Sequence, residues 1–209
     1  MNVQKRKLPQ RMLPRGFAGR ITLTLMNWGH KSIYENAAKV LELQPEDSLL
    51  EVACGNGYFL KKYASHVHSV SGLDFSELAV KLAVKKNKDR VDAGTAKFMH
   101  GEASQLPWED NKFSAATVMA SIMAFPKPLE SLKEMYRVLR PGGRVVVSIE
   151  QNAEDGLDHS KSVKQWGMWV WKEDEVRAMM KEAGFSEVSI AYAKGFMMPK
   201  MMVARGVKR

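Results

Sequence analysis

The chain has 209 residues, 45% hydrophobic and 26% charged, with a formal net charge of +9 at pH 7. That suits one globular domain with a sizeable core, and no apolar run of about 18 residues is present to form a transmembrane helix. The one cysteine, Cys54, excludes an internal disulfide and a cysteine-cluster metal site, so a reducing, cytoplasmic setting is expected.

The charge sits at the ends. Residues 1–20 carry Lys5, Arg6, Lys7, Arg11, Arg15 and Arg20 without an acid, and residues 191–209 carry Lys194, Lys200, Arg205, Lys208 and Arg209 without an acid. Removing these eleven from the 32 basic residues leaves 21 against 23 acidic ones, a nearly neutral body. Nucleic acid or an anionic membrane surface could use such ends, the latter for weak association. Solvated tails are the plainer reading, and Pro9 and Pro14 break any continuous membrane-anchoring helix. The first residues lack the apolar core of a signal peptide and the serines of a transit peptide, so they are expected to be retained.

Residues 31–43 place Ile33, Ala37, Val40 and Leu41 at helical spacing before Pro45. "SLLEVA" (48–53) reads as a first strand and "YFLKKYASHV" (58–67) as a helix. "SVSGLD" (69–74) is a second strand, and Ser76 is placed to cap a second helix over 76–89. "AKFMHG" (96–101) and "FSAATVMA" (113–120) are strands three and four. "PLESLKEMYRVLR" (128–140) is a helix and "GGRVVVSIE" (142–150) a fifth strand. A helix over 172–184 then leads to "SEVSIAYA" (186–193) and "KMMVARGV" (200–207), which a loop joins into a hairpin. The alternation predicts an α/β, Rossmann-like doubly wound, mostly parallel seven-stranded sheet with an antiparallel C-terminal hairpin at one edge. Met197, Met198, Met201 and Met202 read as packing on that edge strand.

The first strand–helix turn, "EVACGNG" at 51–57, carries the chemistry. It lies at the carboxyl end of a strand, where open parallel sheets collect ligands. Gly55 and Gly57 remove side chains that would block close approach to the backbone, and the following helix offers N–H groups to an anion. A dinucleotide binder wants a third glycine where Leu60 stands, and Glu51 would repel a pyrophosphate. An acid four residues before the first glycine suits a cofactor with an ammonium and a sulfonium.

"LLEVACGNGYFL", "SGLDFS", "GEASQLPWEDNKFSAATV" and "EMYRVLRPGGRVVVSIE", in this order over about residues 47–150, resemble the class I S-adenosylmethionine-dependent methyltransferases. The pattern is most similar to the group containing the ubiquinone and menaquinone biosynthesis C-methyltransferases. The resemblance implies S-adenosyl-L-methionine as cofactor. It places Glu51, Ala53, Gly55, Asn56 and Gly57 at the methionine moiety, Asp74 on the ribose hydroxyls, and Phe75 on the adenine. Gly101, Glu102 and Ala103 match the adenine-contacting segment, and Met119 and Ala120 lie near the transferring methyl. The chain departs from the family at Phe113-Ser114, where Phe-Asp is usual, and in "MASIMAFPKP", which lacks a customary aromatic or histidine.

The organisation implied is a basic tail and lid entry at 1–30 and a methyltransferase domain at 31–209, with a lid insertion at about 151–171. The lid regions hold Trp28, Trp166, Trp169 and Trp171, which points to a flat or hydrophobic acceptor, although Trp171 reads better as packing. His30 and Tyr34, one helical turn apart, are the candidate catalytic pair: His30 as base or as a helix cap, Tyr34 as the group orienting the acceptor. Asp155, Asp158 and His159 could suggest a metal, but a solvated loop is the simpler reading and no metal is expected. The expected function is methyl transfer to a small molecule, aromatic or hydrophobic, by in-line displacement. The alternative is an RNA or protein methyltransferase using the basic termini. A stable nucleic-acid partner is not expected, since no RNA-binding module is recognisable and "MASI" stands where an N-P-P-Y-type tetrapeptide would. Nothing in the sequence sets an oligomeric state or the acceptor atom.

Overall fold

The computed structural model describes residues 9–10, 12–195 and 198–209, the side chains of Gly195 and Met198 excepted. Seven strands form one sheet: β1 (Ser48–Val52), β2 (Ser69–Asp74), β3 (Ala96–His100), β4 (Phe113–Met119), β5 (Leu139–Ile149), β6 (Ser186–Gly195) and β7 (Met198–Val207). Their order is β3-β2-β1-β4-β5-β7-β6. β1 to β5 run parallel, and β7 runs antiparallel to both β5 and β6. The order reverses between β1 and β4, which opens a crevice at the carboxyl ends of those strands.

The helices are α1 (Gly16–Gly29), α2 (Lys31–Leu41), α3 (Tyr58–Tyr63), α4 (Glu77–Lys86), α5 (Lys88–Asp92), α6 (Pro128–Val138), α7 (Ser160–Trp166) and α8 (Glu173–Glu182). Ser76 caps α4 as expected, accepting from the Ala79 amide at 3.3 Å. Every residue of β4 is buried, as suits a central strand covered on both faces. On one face Leu132 and Met135 of α6 pack with Val176 and Met180 of α8 over Val145 and Val147. On the other, Ile33, Ala37 and Leu41 of α2 and Phe59 and Leu60 of α3 cover Leu49, Val146 and Val203.

A buried ion pair fixes α2 against the amino ends of the central strands. The Arg144 guanidinium donates to Asp47 Oδ1 at 3.1 Å and to the Glu42 carbonyl at 3.0 Å, and its Nε donates to the Leu41 carbonyl. Ser114, the departure from the family pattern, donates to Asp47 Oδ1 at 2.6 Å and accepts from the Ser48 amide at 3.0 Å. The hydroxyl thus serves an acid contributed by the neighbouring strand entry.

Several expectations change. The last strand is interior: β7 lies between β5 and β6, and its Met201 and Met202 are fully buried rather than covering an edge. The apolar run Met201–Ala204 suits a strand buried on both faces, whereas β6 alternates toward solvent and takes the edge. The basic C-terminus is therefore largely folded, with Lys208 Nζ donating to Asn111 Oδ1 and the Tyr136 carbonyl at 2.9 Å. Met197 lies outside the described residues, as do Lys5, Arg6, Lys7 and Arg11.

At the other end, the expected tail contains α1, which starts two residues beyond Pro14. Gly19 of α1 sits so close to Pro14 and Leu78 that an added Cβ would meet them at 2.8 and 3.0 Å. The Ser76 hydroxyl donates to the Pro14 carbonyl at 2.8 Å, which pins the segment to the cap of α4. The 154–160 stretch is the largely exposed loop expected, but it is anchored from within. Asp155 is buried, receives the Leu157 amide at 2.9 Å, and meets His159 Nε2 at 2.8 Å. Among the described residues no cluster of His, Cys, Asp and Glu could hold a metal ion, and no helix is long and apolar enough to cross a membrane.

Candidate active site

The crevice at the strand ends is a cavity of about 510 Å³, within the range usual for small-molecule sites. Ala53 and Gly55 follow β1, Asp74 and Phe75 end β2, Gly101, Glu102 and Ala103 follow β3, and Ala120 and Ser121 follow β4. A side chamber of about 40 Å³ adjoins it, with Glu51, Tyr34, Asn56, Cys54 and Met119 in its wall. His30, Leu23, Met26, Ala53, Gly55 and Ser121 border both spaces.

Ala53 and Ala120 stand one residue beyond β1 and β4, and both adopt left-handed backbone, with φ of 58° and 51°. Non-glycine residues held there store strain, of order 1 kcal/mol or more, and such positions cluster at functional sites. Gly55 has φ of 53°, and a Cβ there would meet only Leu23 Cδ2, at 3.5 Å. The space above that backbone is thus open to the cavity.

Asp74 organises the turn. Its Oδ2 accepts from the Gly55 amide and its Oδ1 from the Ser76 amide, each at 2.8 Å. A carboxylate offers roughly four acceptor positions, so further donors in the cavity can still be received. Burial raises the Asp74 pKa, and the Ser76 and Gly55 amides oppose that rise. Glu51 is more extreme. It is buried, its Oε2 has no hydrogen-bond partner among the described residues, and burial, with the charge of Asp74 adding, drives its pKa far upward. A buried carboxyl oxygen without a partner is costly unless a ligand completes it.

His30 joins α1 to α2, and its side chain makes no capping hydrogen bond, so the capping role is not seen. Its Nε2 lies 3.8 Å from Glu150 Oε1, and burial lowers its pKa from the ordinary 6.5. Burial therefore favours the neutral imidazole. Tyr34 meets the His30 ring edge-on at 5.9 Å, but it borders only the side chamber with Glu51. Burial and then the charge of Glu51 raise its pKa, so the phenol stays protonated.

The expected site residues gather here, with two exceptions. Gly57 faces away: a Cβ there would strike Asn87 Nδ2 at 2.7 Å and Ala83, so this glycine serves the packing of α4. Likewise α3 has only six residues, and the Gly55 and Gly57 amides are already used by Asp74 and the Cys54 carbonyl, so no helix-end anion site forms. The tryptophans are the other exception. Trp28, Trp166, Trp169 and Trp171 do not border the cavity. Trp169 instead donates its amide to the Met123 carbonyl at 2.8 Å and its indole N–H to the Phe125 carbonyl at 2.9 Å. Trp171 is buried and stacks on Trp169 at 6.0 Å, as core packing. They brace the 122–126 loop.

The rest of the lining comes from residues that the sequence patterns did not single out for it: Met12, Pro14, Leu23, Met26, Met123, Phe125 and Met168, with the polar Glu150 and Gln151. The last two follow β5 and were findable from the rule that ligands meet strand carboxyl ends. Gln151 Oε1 is a second buried polar atom without a partner among the described residues.

Residues 50–147 match the family described as "Methyltransferase domain". Proteins named demethylmenaquinone methyltransferase are similar: that of Oceanobacillus iheyensis is 34% identical over 120 residues, covering 56% of this chain and 50% of that protein. That of Staphylococcus saprophyticus is also 34% identical over 120 residues, with the same coverage. The chain thus spans about half the length of the curated relatives it matches. Among solved structures, a Haloferax volcanii methyltransferase in complex with the Trm112 methyltransferase activator superposes with a TM-score of 0.76 at 19% identity, over 91% of this chain and 94% of that one. Haemonchus contortus phosphoethanolamine N-methyltransferase 2, solved with S-adenosyl-L-methionine, gives a TM-score of 0.79 at 15% identity, over 96% of this chain and 60% of that one. The matched residues run from within β1 to within β5 and include the turns after β1 to β4, and the likeness in fold to the solved methyltransferases extends through the β6–β7 hairpin, so the middle of the chain is similar to the methyltransferase family and the chain has the fold of these enzymes.

Proposed function

We propose that the protein transfers a methyl group from S-adenosyl-L-methionine to a small acceptor, aromatic or otherwise apolar. The observation that carries this reading is one continuous wall joining two environments. Buried carboxyls and open backbone lie at the β1–β2 end, and methionines and Phe125 line the rest. The unpartnered Glu51 Oε2 fits the cofactor's ammonium. The remaining acceptor positions of Asp74 fit two ribose hydroxyls, through charge-assisted bonds. Half-exposed Phe75 and the Gly101–Ala103 segment would border the adenine. Tyr34, beside Glu51, would donate to the methionine end, and Asn56 and Met119 complete that chamber. Once bound, the cofactor supplies a methyl already activated by positive sulfur.

The chain's own residues then need to align an acceptor and, where it is a hydroxyl or carbon acid, remove its proton. Alignment alone can contribute roughly 7 to 11 kcal/mol. Neutral His30 is suited to take the proton, and Glu150, 3.8 Å away, stabilises the imidazolium that results. Gln151 can orient a donor on the acceptor. Quinols head the acceptor panel, because similar proteins carry the demethylmenaquinone methyltransferase name. A cytoplasmic setting fits the buried, unpaired Cys54.

The test is methyl transfer from labelled cofactor to quinols, phenols, thiols and metalloid oxyanions, with the product identified by mass. A methylated apolar acceptor is expected. Cofactor binding without turnover on any acceptor would overturn the reading in favour of a binding subunit. Transfer only to RNA or protein would favour a macromolecular methyltransferase.

A further inference from the structure

α1 is apolar on two opposite faces, which a helix needing only to pack on its own domain does not require. Its inner face carries Gly19 and Leu23, both buried, and Met26 on the cavity wall. Its outer face carries Phe17, Ile21, Leu25 and Trp28, which are 79%, 47%, 64% and 70% exposed. At about 100° per residue these four fall within roughly 80° of one another. They are the greatest concentration of exposed large hydrophobics among the described residues. The surrounding sequence is basic throughout: residues 1–34 include seven Lys and Arg and no Asp or Glu.

We propose that α1 lies flat in the headgroup region of an anionic lipid bilayer, with Phe17, Ile21, Leu25 and Trp28 inserted and the basic residues on the phosphates. A short helix with bulky apolar residues on one side and cationic flanks has the composition of an interfacial helix. At 14 residues it is roughly 21 Å long, too short to span a bilayer core of about 30 Å, so it rests on the surface. A second copy of the chain is the poorer occupant. Four side chains in one row are far fewer than the 20 to 30 residues a side of a standard dimer interface. A concentration of positive charge around the row would also repel its symmetric copy. The same helix that meets lipid walls the cavity, so docking would set the apolar wall beside the membrane. That consequence rests on the proposed acceptor class, whereas the docking itself does not.

The direct experiment is flotation of the full chain with vesicles of phosphatidylcholine alone and of phosphatidylcholine mixed with phosphatidylglycerol, with no acceptor present. Wild type is expected to float with the anionic vesicles, less so as salt rises, and little with the neutral ones. Phe17→Ser/Leu25→Ser should weaken that partition by about tenfold or more. Its affinity for the cofactor should be unchanged, which separates docking from the methyl-transfer reading and reports folding. Should that variant fail to fold, quenching of tryptophan fluorescence by brominated lipid decides the matter: it is expected in wild type and reduced in Trp28→Phe. Absence of flotation with anionic vesicles, wild-type partition in the folded double variant, or equal quenching in Trp28→Phe would overturn the proposal. So would light scattering that shows a wild-type dimer converted to monomer by the double substitution.

Discussion

The cavity wall at the strand ends is made of short, backbone-held parts: Ala53 and Gly55 after β1, Asp74 closing β2, Gly101 after β3, Ala120 after β4. The rest of the lining includes Met12, Met26, Met123 and Met168, Met26 carried by α1 and the others by short or irregular segments, one of which Trp169 braces. Parallel strands locked in register admit little movement, so the first wall fits a ligand of fixed shape. Methionine side chains have three soft torsions and adapt to irregular apolar partners, so the second wall can accept a different molecule without disturbing the first. On the function proposed above, recognition of cofactor and choice of acceptor fall to separate materials.

The largest expected effect attacks the scaffold of the rigid side. Asp47→Ala leaves Arg144 buried without its carboxylate and should destabilise the fold by about 3 kcal/mol. That is the low end of the usual range, because Arg144 keeps the Leu41 and Glu42 carbonyls. Burial would raise the Asp47 pKa, but hydrogen bonds from Arg144, the Gln44 amide and Ser114 bring it below 3.8. A depressed carboxylate pKa contributes stability above its unfolded value that is lost as pH falls through the folded value. Denaturant melts should therefore show the wild-type advantage over the variant at neutral pH shrinking below about pH 4.

His30→Ala should lower the turnover number by about 10²-fold while cofactor affinity stays near wild type. Since burial lowers the His30 pKa below 6.5, the basic form persists through neutrality, and turnover should fall only as acidification protonates the ring. Single-turnover rates against pH check both points; wild-type turnover in the variant would leave the pocket as an alignment device. Tyr34→Phe should act on the other side of the comparison. Loss of one donor near Glu51 is worth about 0.5 to 1.5 kcal/mol and should appear in cofactor affinity rather than in turnover. Smallest is Met168→Leu, a swap of similar volume costing less than about 1.5 kcal/mol of stability. It should shift relative rates among acceptors and leave cofactor binding alone, as paired binding and competition assays would reveal.

These walls also differ in how far the sequence revealed them. Glu51, Ala53, Gly55, Asp74 and the Gly101–Ala103 segment were legible because a strand end followed by glycine or acid leaves a local spacing, and spacing survives folding. The sheet was legible for the same reason, apart from the place of β7, which only pairing decides. Gly57 misled because a glycine needed for close helix packing and one needed for ligand approach look identical in sequence. The adaptable wall left no such trace. Met12, Met123 and Met168 meet only through tertiary packing, and of the tryptophans that drew attention Trp169 braces the 122–126 segment with Trp171 stacked on it. α1 was hidden by Pro14, which stops a helix from running through it but permits one to start two residues later.

The division of labour stands or falls on whether the strand-end wall holds the cofactor, and the most direct measurement is calorimetric titration of S-adenosyl-L-methionine into wild type and Asp74→Ala, with thermal melts confirming that the variant is folded. Wild type should bind, and the variant should lose roughly 1.5 to 3 kcal/mol of binding free energy with its charge-assisted bonds. Equal affinity in a folded Asp74→Ala would contradict the assignment of the ribose, and with it the placement of cofactor and acceptor in the two halves of the cavity.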